Sequence, residues 1–232
     1  MANAVLMASG MGTRMRPLTE HTPKPLIKVK GIPMIESVIA ALQKKGVEHI
    51  YIVVGYLGDQ FEYLMKRYPN ISIIRNSDYE TINNISSIYY AREALRKGDC
   101  YICEADLYVS DDMLLTRVDT SHSAYFGTIQ NRQHSDDWGF ELGEDGYIKR
   151  IAKGGSWDYN MVGMAYFKAD EAAMIADKVE ARYHTKGYED LFWDDVVNEN
   201  LNEIKLTISQ IEDGDITEID TPQELEAANS RM

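Results

Sequence analysis

The chain is short of basic residues, of cysteines and of long apolar stretches. It carries 24 lysines and arginines against 37 aspartates and glutamates, which gives a formal net charge of -13 at pH 7. A protein of that charge is poorly suited to wrapping a nucleic-acid backbone, so we expect no nucleic-acid partner. No apolar run approaches the roughly 18 residues that a membrane-spanning helix needs, and the N-terminus lacks a secretory signal pattern. We therefore expect no membrane insertion and a cytoplasmic location.

The two cysteines, Cys100 and Cys103, form a C-x-x-C pair, a spacing that can indicate redox chemistry or metal binding. Residues 99–105 have the pattern of a strand, and side chains alternate between the two faces of a strand. Residues three apart then point to opposite sides. Since no second Cys/His pair lies close by, the sequence predicts two structural thiols.

The order of apolar segments predicts an α/β fold. In the first half, predicted strands at 4–7, 50–54, 71–74 and 99–105 alternate with helical patterns at 33–46, 61–68 and 86–97. This alternation favours a doubly wound sheet. The second half contains predicted strands at 124–129, 140–142, 147–151, 161–167 and 206–211, and helices at 169–182, 194–201 and 222–229. We predict a single domain over residues 1–232, with a distinct subregion at about 124–200.

A glycine-rich segment, Ala8-Ser9-Gly10-Met11-Gly12-Thr13-Arg14, follows the first predicted strand directly. It is not a Walker A loop, because G-x-x-x-x-G-K-[ST] occurs nowhere in the chain. It is not a dinucleotide fingerprint either, because Met15 stands where a small residue is needed and Pro17 blocks a continuing helix. The segment is typical of a flexible loop whose backbone N–H groups bind a triphosphate, and a basic surface loop is the alternative.

Basic residues gather at positions 14–30 of this otherwise acidic chain, which suits a small anionic ligand. Arg14 can bind phosphate oxygens with its forked guanidinium, whereas Lys24 offers a compact point charge. Pro23 and Pro25 flank Lys24 and restrict the backbone around it, which would help to hold the ammonium in place.

The glycine-rich segment, followed by Pro17-Leu18-Thr19 and Pro23-Lys24-Pro25-Leu26, resembles the signature of the sugar-nucleotidyltransferase superfamily. The family's usual Leu-Ala-Ala-Gly opening is Met7-Ala8-Ser9-Gly10 here. The resemblance implies a doubly wound, mostly parallel (mixed) α/β sheet of nucleotidyltransferase type with a small acceptor-binding subregion. It also implies transfer of a nucleoside monophosphate from an NTP to a phosphorylated acceptor. In that reaction Arg14 would bind the β and γ phosphates and Lys24 would stabilise charge on the α-phosphate.

Two acidic groups stand out. Glu104-Ala105-Asp106 lies at the end of the predicted strand 99–105, and Glu218-Ile219-Asp220 closes the late strand region. In an open α/β sheet, ligands bind at the carboxyl ends of the strands. Mg²⁺ prefers one or two carboxylates together with phosphate oxygens and water. Taken alone, either acid could instead be a turn residue or a helix cap, as Asp220 before Thr221-Pro222 suggests. The superfamily places its metal aspartates at these two points, so the resemblance implies Asp106 and Asp220 as Mg²⁺ ligands. Glu104 and Glu218 are secondary candidates.

Several local sequences resemble the bacterial CTP:phosphocholine cytidylyltransferases, namely residues 79–87, 104–106, 137–138, 190–194 and 218–220. The resemblance implies CTP and a small phosphorylated amino-alcohol as substrates. We expect phosphocholine as the acceptor, with CDP-choline and pyrophosphate as the products. Amide side chains can both donate to and accept from a pyrimidine edge, which favours Asn83 and Asn84 as contacts to the base. The complete predicted nucleotide-binding set is Ala8, Ser9, Gly10, Met11, Gly12, Thr13, Tyr56, Asn83, Asn84, Ser87 and Glu104.

Choline is a quaternary ammonium that cannot donate a hydrogen bond, so its natural receptor is an aromatic box with carboxylates nearby. Trp138, Phe192 and Trp193 could supply aromatic faces. The alternative is that Phe192 and Trp193 are core residues. The complete predicted acceptor-binding set is Trp138, Lys153, Asp190, Phe192, Trp193 and Asp194.

Other functions stay open at this point. A primary amine such as 2-aminoethylphosphonate or phosphoethanolamine would use the same acids and fewer aromatic rings. A sugar-1-phosphate would need no cage. A regulatory NTP-binding module should have lost Lys24 or a metal acid, whereas this chain retains them. The sequence leaves the oligomeric state undetermined.

Overall fold

The protein is described over residues 2–230 by a computed structural model. Its strands are β1 (Ala2–Ala8), β2 (Lys28–Val29), β3 (Ile32–Pro33), β4 (His49–Val54), β5 (Ile71–Arg75), β6 (Asp99–Glu104), β7 (Leu107–Val109), β8 (Ala124–Ile129), β9 (His134–Leu142), β10 (Ile148–Ser156), β11 (Tyr159–Phe167), β12 (Thr207–Gln210) and β13 (Ile216–Glu218). Its α-helices are α1 (Met34–Lys45), α2 (Glu62–Arg67), α3 (Ile85–Leu95), α4 (Ala169–Arg182), α5 (Trp193–Glu199) and α6 (Pro222–Ser230).

A nine-stranded mixed sheet forms the centre of the protein, with the order β10-β9-β11-β6-β1-β4-β5 and with β8 and β12 extending from β11. The strands β6, β1, β4 and β5 run parallel to one another. β11 is antiparallel to β6 and joins the second half of the chain to this parallel part. The predicted fold class, a doubly wound and mixed α/β sheet, is confirmed.

The two faces of the sheet are covered by different helices. Ile35, Val38 and Leu42 of α1 pack into one apolar cluster, and α3 and α4 supply residues to the other. Cys103 belongs to the first cluster and Cys100 to the second, and both thiols are free and buried. The prediction of two structural cysteines on opposite faces of one strand is confirmed.

The structure differs from the sequence prediction at several strands, two of which bear on the site. β9 begins at His134 and not at residue 140, because its first residues form a polar, largely exposed ladder with the end of β10 and show no apolar alternation. The short pair β7–β13 was not predicted at all, because strands of three residues carry too few positions for a period to show. Among residues 2–230, no helix has the length and apolar character that crossing a membrane requires.

Candidate active site

A cavity of about 380 Å³ opens at the carboxyl ends of the parallel strands. Residues following β1, β5 and β6 line one part of it, and residues of β9, β10 and β11 line the other. Its wall comprises Met7, Ser9, Gly10, Arg14, Asn76, Tyr79, Ile82, Asn83, Asn84, Ser86, Ser87, Glu104, Asp106, Asp137, Trp138, Lys153, Asn160, Met161, Gly163, Phe192, Glu218 and Asp220. The edge of the sheet at which the sequence placed the site is therefore concave and lined by charged groups.

Asp106 and Asp220 come together through the ladder between β7 and β13. Glu218, the last residue of β13, pairs with Leu107, the first residue of β7. The N–H of Ile219 also donates to the carbonyl of Asp106, at 3.4 Å. Single carboxylate oxygens of Asp106, Glu218 and Asp220 lie within 4.8 Å of one another. This all-oxygen set fits a hard divalent cation such as Mg²⁺, and Glu218 completes it.

Lys24 lies beneath these carboxylates and is 7% exposed. Its Nζ donates to Asp106 Oδ2 and to Asp220 Oδ1, each at 2.5 Å. Burial opposes the charge of this ammonium, but the two carboxylates outweigh burial and raise the pKa of Lys24. Arg14 is largely exposed and donates from Nη2 to the same Oδ1 of Asp220 at 2.7 Å. Burial works against ionisation of Asp220 too, yet Lys24 and Arg14 lower the pKa of this carboxyl.

The glycine loop is packed directly onto Lys24. Gly12 adopts φ +60°, and a Cβ there would lie 2.9 Å from Lys24 Cβ and 3.0 Å from Thr19 Cγ2. Thr19 Oγ1 donates to the carbonyl of Gly12 at 2.8 Å. Lys24 itself begins a short 3-10 turn, Lys24–Leu26, in which Ile27 N–H donates to the Lys24 carbonyl at 3.0 Å. The absence of a side chain at position 12 is thus what allows the loop to lie so close to the lysine.

The predicted loop residues divide into those that line the cavity and those that support it. Ser9, Gly10 and Arg14 line the cavity. Ala8, Met11, Gly12 and Thr13 are not part of its wall, and Ala8 is buried at the end of β1.

The two acids Glu104 and Glu218 line the cavity beside the aspartates. Enclosure by protein, together with the negative charges of Glu218 and Asp106, raises the pKa of Glu104 well above its usual range. Enclosure and the charges of Asp106 and Asp220 likewise raise the pKa of Glu218, although its surface is open to the cavity. The site therefore has a surplus of carboxyl groups, which a divalent cation would offset.

Tyr56, predicted as a contact to the base, does not line the cavity. Its hydroxyl donates to the carbonyls of Thr19 and Glu20, at 3.0 and 3.2 Å, and so ties down the segment after the glycine loop. Tyr79 lines the cavity instead, with its ring against Gly55, where a Cβ would lie 2.5 Å from Tyr79 Cγ. The sequence pointed to Tyr79 only through the segment 79–87, which resembles the cytidylyltransferases. The contact that places its ring is with Gly55, which is distant in the chain.

Asn83, Asn84 and Ser87 do line the cavity, yet each already has protein partners. Asn83 Nδ2 donates to the Asp190 carbonyl at 3.3 Å, and its Oδ1 accepts from the N–H of Asn84 at 2.8 Å. Asn84 Oδ1 accepts from the N–H of Trp193 at 3.0 Å. Ser87 Oγ is 3.4 Å from Ser9 Oγ, which itself donates to the Val53 carbonyl at 3.1 Å.

At the other end of the cavity, Trp138 and Lys153 are neighbours across β9 and β10. The ring of Phe192 meets Trp138 edge to face, with centroids 5.2 Å apart. Asp137, which was not among the predicted site residues, adds a carboxylate beside Trp138. This end therefore combines one anion, one cation and two aromatic rings.

Three predicted acceptor residues do not line the cavity. Trp193 is 3% exposed and stacks on Tyr125 in the core, with centroids 5.7 Å apart. Asp194 is equally buried and accepts from the Tyr125 hydroxyl at 3.0 Å, and burial raises the pKa of Asp194 to about 7. Asp190 is exposed at the surface.

The predicted cage therefore loses Trp193, Asp194 and Asp190. Trp193 and Asp194 lie in the first turn of α5, and both are buried in the core. Asp190 ends a separate 3-10 turn and so lies outside the helix that carries Asp194.

The chain resembles known proteins in sequence and in fold. Residues 4–130 match the MobA-like NTP transferase domain. The chain is 50% identical over 225 residues, covering 97% of it, to the 2-aminoethylphosphonate cytidylyltransferase of Lancefieldella rimae, of which 91% is covered. It is 33% identical over 221 residues to the choline-phosphate cytidylyltransferase of Streptococcus pneumoniae, covering 95% of this chain and 94% of that protein.

A solved structure of CTP:phosphocholine cytidylyltransferase from Streptococcus pneumoniae superimposes with a TM-score of 0.88 at 32% identity, covering 98% of this chain and 97% of that one. The family match confirms the resemblance to the nucleotidyltransferases. The expectation of phosphocholine as the acceptor is not confirmed, because the relative with 50% identity is a 2-aminoethylphosphonate cytidylyltransferase. The chain belongs to the family of MobA-like NTP transferase domains within the nucleotidyltransferase superfamily.

Proposed function

We propose that the protein transfers the cytidylyl group of CTP to 2-aminoethylphosphonate and releases pyrophosphate. The observation that carries this choice is the set of side chains at one end of the cavity. We call this end, formed by Asp137, Trp138, Lys153 and Phe192, the acceptor end. With Trp193 in the core, Trp138 and Phe192 are the two rings that the described residues present to this end of the cavity, and Asp137 lies beside them. A quaternary ammonium is held by several aromatic faces, whereas a primary ammonium needs hydrogen-bond acceptors. The 50% identity to a 2-aminoethylphosphonate cytidylyltransferase supports the same choice.

The acceptor is a zwitterion in this proposal, and the two charged side chains of the acceptor end suit it. Asp137 takes the ammonium, and Lys153, across the strand pair from Trp138, takes the phosphonate. Trp138 and Phe192 cover the two methylene groups between them. Asp190, Trp193 and Asp194 have no direct part in binding the acceptor.

The nucleotide lies toward the other end. Ser9, Gly10 and Arg14 receive the phosphates, because they line the cavity at the end of β1. Tyr79 offers a ring to the base, and Ser87 and Asn83 border the same region. Gly12 and Tyr56 act by fixing the shape of the loop, through the close packing on Lys24 and the hydrogen bonds to Thr19 and Glu20.

In the reaction, a phosphonate oxygen attacks the α-phosphorus of CTP, the new O–P bond forms, and the bond to the β-phosphate oxygen breaks. Like a phosphate, the phosphonate carries anionic oxygens near neutral pH, so the chain needs no general base. Its task is to offset the repulsion between two anions, and Arg14 and Lys24 supply fixed positive charge where the leaving group develops. Asp106, Asp220 and Glu218 would hold Mg²⁺, which offsets the charge of the triphosphate when bound.

Phosphocholine is the second acceptor to be considered, because Trp138 and Phe192 form an open aromatic pair and the 33% identical relative is a choline-phosphate cytidylyltransferase. The experiment that separates the two measures pyrophosphate release with Mg²⁺ and each of the four NTPs. The acceptors are 2-aminoethylphosphonate, phosphoethanolamine, phosphocholine and glucose-1-phosphate. We expect the highest kcat/KM with CTP and 2-aminoethylphosphonate. A clear preference for phosphocholine would overturn the assignment of the acceptor, and turnover of the sugar phosphate alone would overturn the whole acceptor end.

A further inference from the structure

Asn84 occupies the N-cap position of α3 but does not cap that helix with its side chain. An asparagine at this position normally accepts a hydrogen bond from an N–H group in the first turn of its own helix. Here its Oδ1 accepts instead from the backbone N–H of Trp193, the first residue of α5, at 3.0 Å. The side chain is thus used to fix the start of a different helix.

The residue immediately before that helix is Phe192, whose ring borders the acceptor end of the cavity. Its own N–H donates to Asp195 Oδ2 at 2.9 Å, and its ring packs on Trp138. Trp193, the next residue, has its indole locked in the core against Tyr125. The hydrogen bond with Asn84 therefore fixes the backbone between Phe192, whose ring borders the cavity, and Trp193, whose ring is buried.

The bond is part of a larger connection between the segment 78–84, on the nucleotide side, and the segment 183–193, on the acceptor side. The N–H of Asn83 donates to the Glu189 carbonyl at 2.9 Å. The hydroxyl of Tyr183, a buried residue, donates to Asp78 Oδ2 at 2.7 Å. Of these contacts, the one made by Asn84 is nearest in sequence to Phe192.

We infer that Asn84 is a positioning residue for the acceptor, acting through Phe192, and is not a residue that identifies the base. This assignment rests on the proposed function in so far as Phe192 belongs to the acceptor end. It differs from the sequence prediction, which placed Asn84 in the nucleotide-binding set. Because Asn84 Oδ1 is engaged by Trp193, only its Nδ2 group is free of the contacts described above, so the side chain is poorly suited to both donate to and accept from a pyrimidine edge.

The test compares Asn84→Ala with Asn229→Ala. Asn229 Oδ1 also accepts from a backbone N–H, that of Lys30, at 2.7 Å, but it lies on α6 and does not line the cavity. We expect Asn84→Ala to raise the KM of the acceptor about tenfold, because the hydrogen bond that positions Phe192 is lost. The KM of CTP should stay within about twofold of the wild-type value. Asn229→Ala should leave both values unchanged.

A second measurement does not depend on which acceptor is used. In protein labelled with 5-fluorotryptophan, the ¹⁹F resonance of Trp138, assigned with Trp138→Phe, should shift or broaden in Asn84→Ala and not in Asn229→Ala. If wild type prefers phosphocholine, the proposed function fails, and the KM comparison is made with phosphocholine. A raised KM for CTP with an unchanged acceptor KM and an unchanged Trp138 resonance would overturn the assignment of Asn84.

Discussion

The ammonium of Lys24 lies 2.5 Å from the carboxylate of Asp106, although the two residues are 82 positions apart in the chain. The same ammonium is 2.5 Å from Asp220. Lys24 therefore shares its two carboxylate partners with the divalent cation that these acids are suited to bind. Lys24 and the two proposed metal ligands therefore form one electrostatic unit, and a change in Lys24 should alter the binding of a cation by the carboxylates.

Replacement of Lys24 by alanine should lower kcat/KM by a factor of about 10² to 10³, the usual effect of removing one group that stabilises developing charge. The variant should still fold. Because Asp106 and Asp220 then lose a shared cation, added Mg²⁺ should raise the melting temperature of Lys24→Ala more than that of wild type. Pyrophosphate release and thermal unfolding measure the two effects. Lys28→Ala, which removes an exposed lysine of β2, is the control, and unchanged turnover in Lys24→Ala would exclude its proposed role.

Glu218→Gln should weaken the binding of Mn²⁺, used as a spectroscopic substitute for Mg²⁺, by about tenfold, because one of three oxygen ligands loses its charge. The effect is measured by electron paramagnetic resonance titration in the presence of CTP. Glu212→Gln is the matched control, since Glu212 is exposed and does not line the cavity. Equal affinities in the two variants would show that Asp106 and Asp220 suffice without Glu218.

Asp194→Asn should make the stability of the protein less dependent on pH. Burial raises the pKa of Asp194 to about 7 in the folded protein, against the ordinary aspartate value of 3.8. The folded state then binds the proton more tightly than the unfolded state, so this group's stabilising contribution is full below pH 3.8 and is lost as the pH rises to about 7.

Urea unfolding at pH 5 and at pH 7.5 tests this sign. Wild type should lose stability relative to Asp194→Asn over that interval, by no more than about 3 kcal/mol, since pH 5 lies about two units below the folded-state pKa of about 7 and one unit corresponds to about 1.36 kcal/mol. The asparagine keeps an oxygen for the Tyr125 hydroxyl. If the difference in stability between the two proteins were constant with pH, Asp194 would not be the buried, protonated acid described above.

Asp137→Asn should reduce kcat/KM for 2-aminoethylphosphonate by about tenfold or more, because a charge-assisted hydrogen bond to the ammonium is lost. The effect on phosphocholine should be smaller, since its ammonium cannot donate. Trp138→Ala should reduce kcat/KM more for phosphocholine than for 2-aminoethylphosphonate. Asp136→Asn alters the neighbouring exposed carboxylate, which is not part of the cavity wall, and should change neither. Equal losses with both acceptors in Asp137→Asn would argue against a specific contact with a primary ammonium.

Gly12→Ala and Gly31→Ala separate backbone strain from the packing of the loop on Lys24. Both glycines have positive φ, +60° and +83°, but a Cβ at position 31 would meet nothing within 4 Å. Both variants should lose about 1 kcal/mol of stability from the unfavourable backbone. Only Gly12→Ala should also lose activity, by about tenfold, because its Cβ displaces Lys24. Kinetics of the two variants side by side provide the measurement, and full activity in Gly12→Ala would show that the close approach is not needed.

The sequence predicted those features of the site that rest on local patterns. The alternation of apolar segments gave the parallel strands, and the position of Asp106 at the end of β6 followed from the strand before it. The opposite orientation of Cys100 and Cys103 needed only the period of a strand. Asp220 was located by resemblance, because nothing local distinguishes it from the cap of α6.

Other features depend on contacts between distant segments. Tyr79 lines the cavity and Tyr56 does not, because Gly55 leaves room for the ring of Tyr79. Glu218 joins the aspartates through the three-residue pairing of β13 with β7, too short to show a period in sequence.

The sequence by itself determined the fold class and the place of the glycine-rich loop at the end of β1, since strand period and short motifs are properties of adjacent residues. Only the tertiary structure decided which of the adjacent residues Phe192 and Trp193 faces the cavity. That choice depends on where α5 begins and on what its first turn packs against. Tyr125 stacks on the indole of Trp193 and donates its hydroxyl to the carboxyl of Asp194, so both side chains lie in the core. Phe192, the residue before the helix, is left to border the cavity.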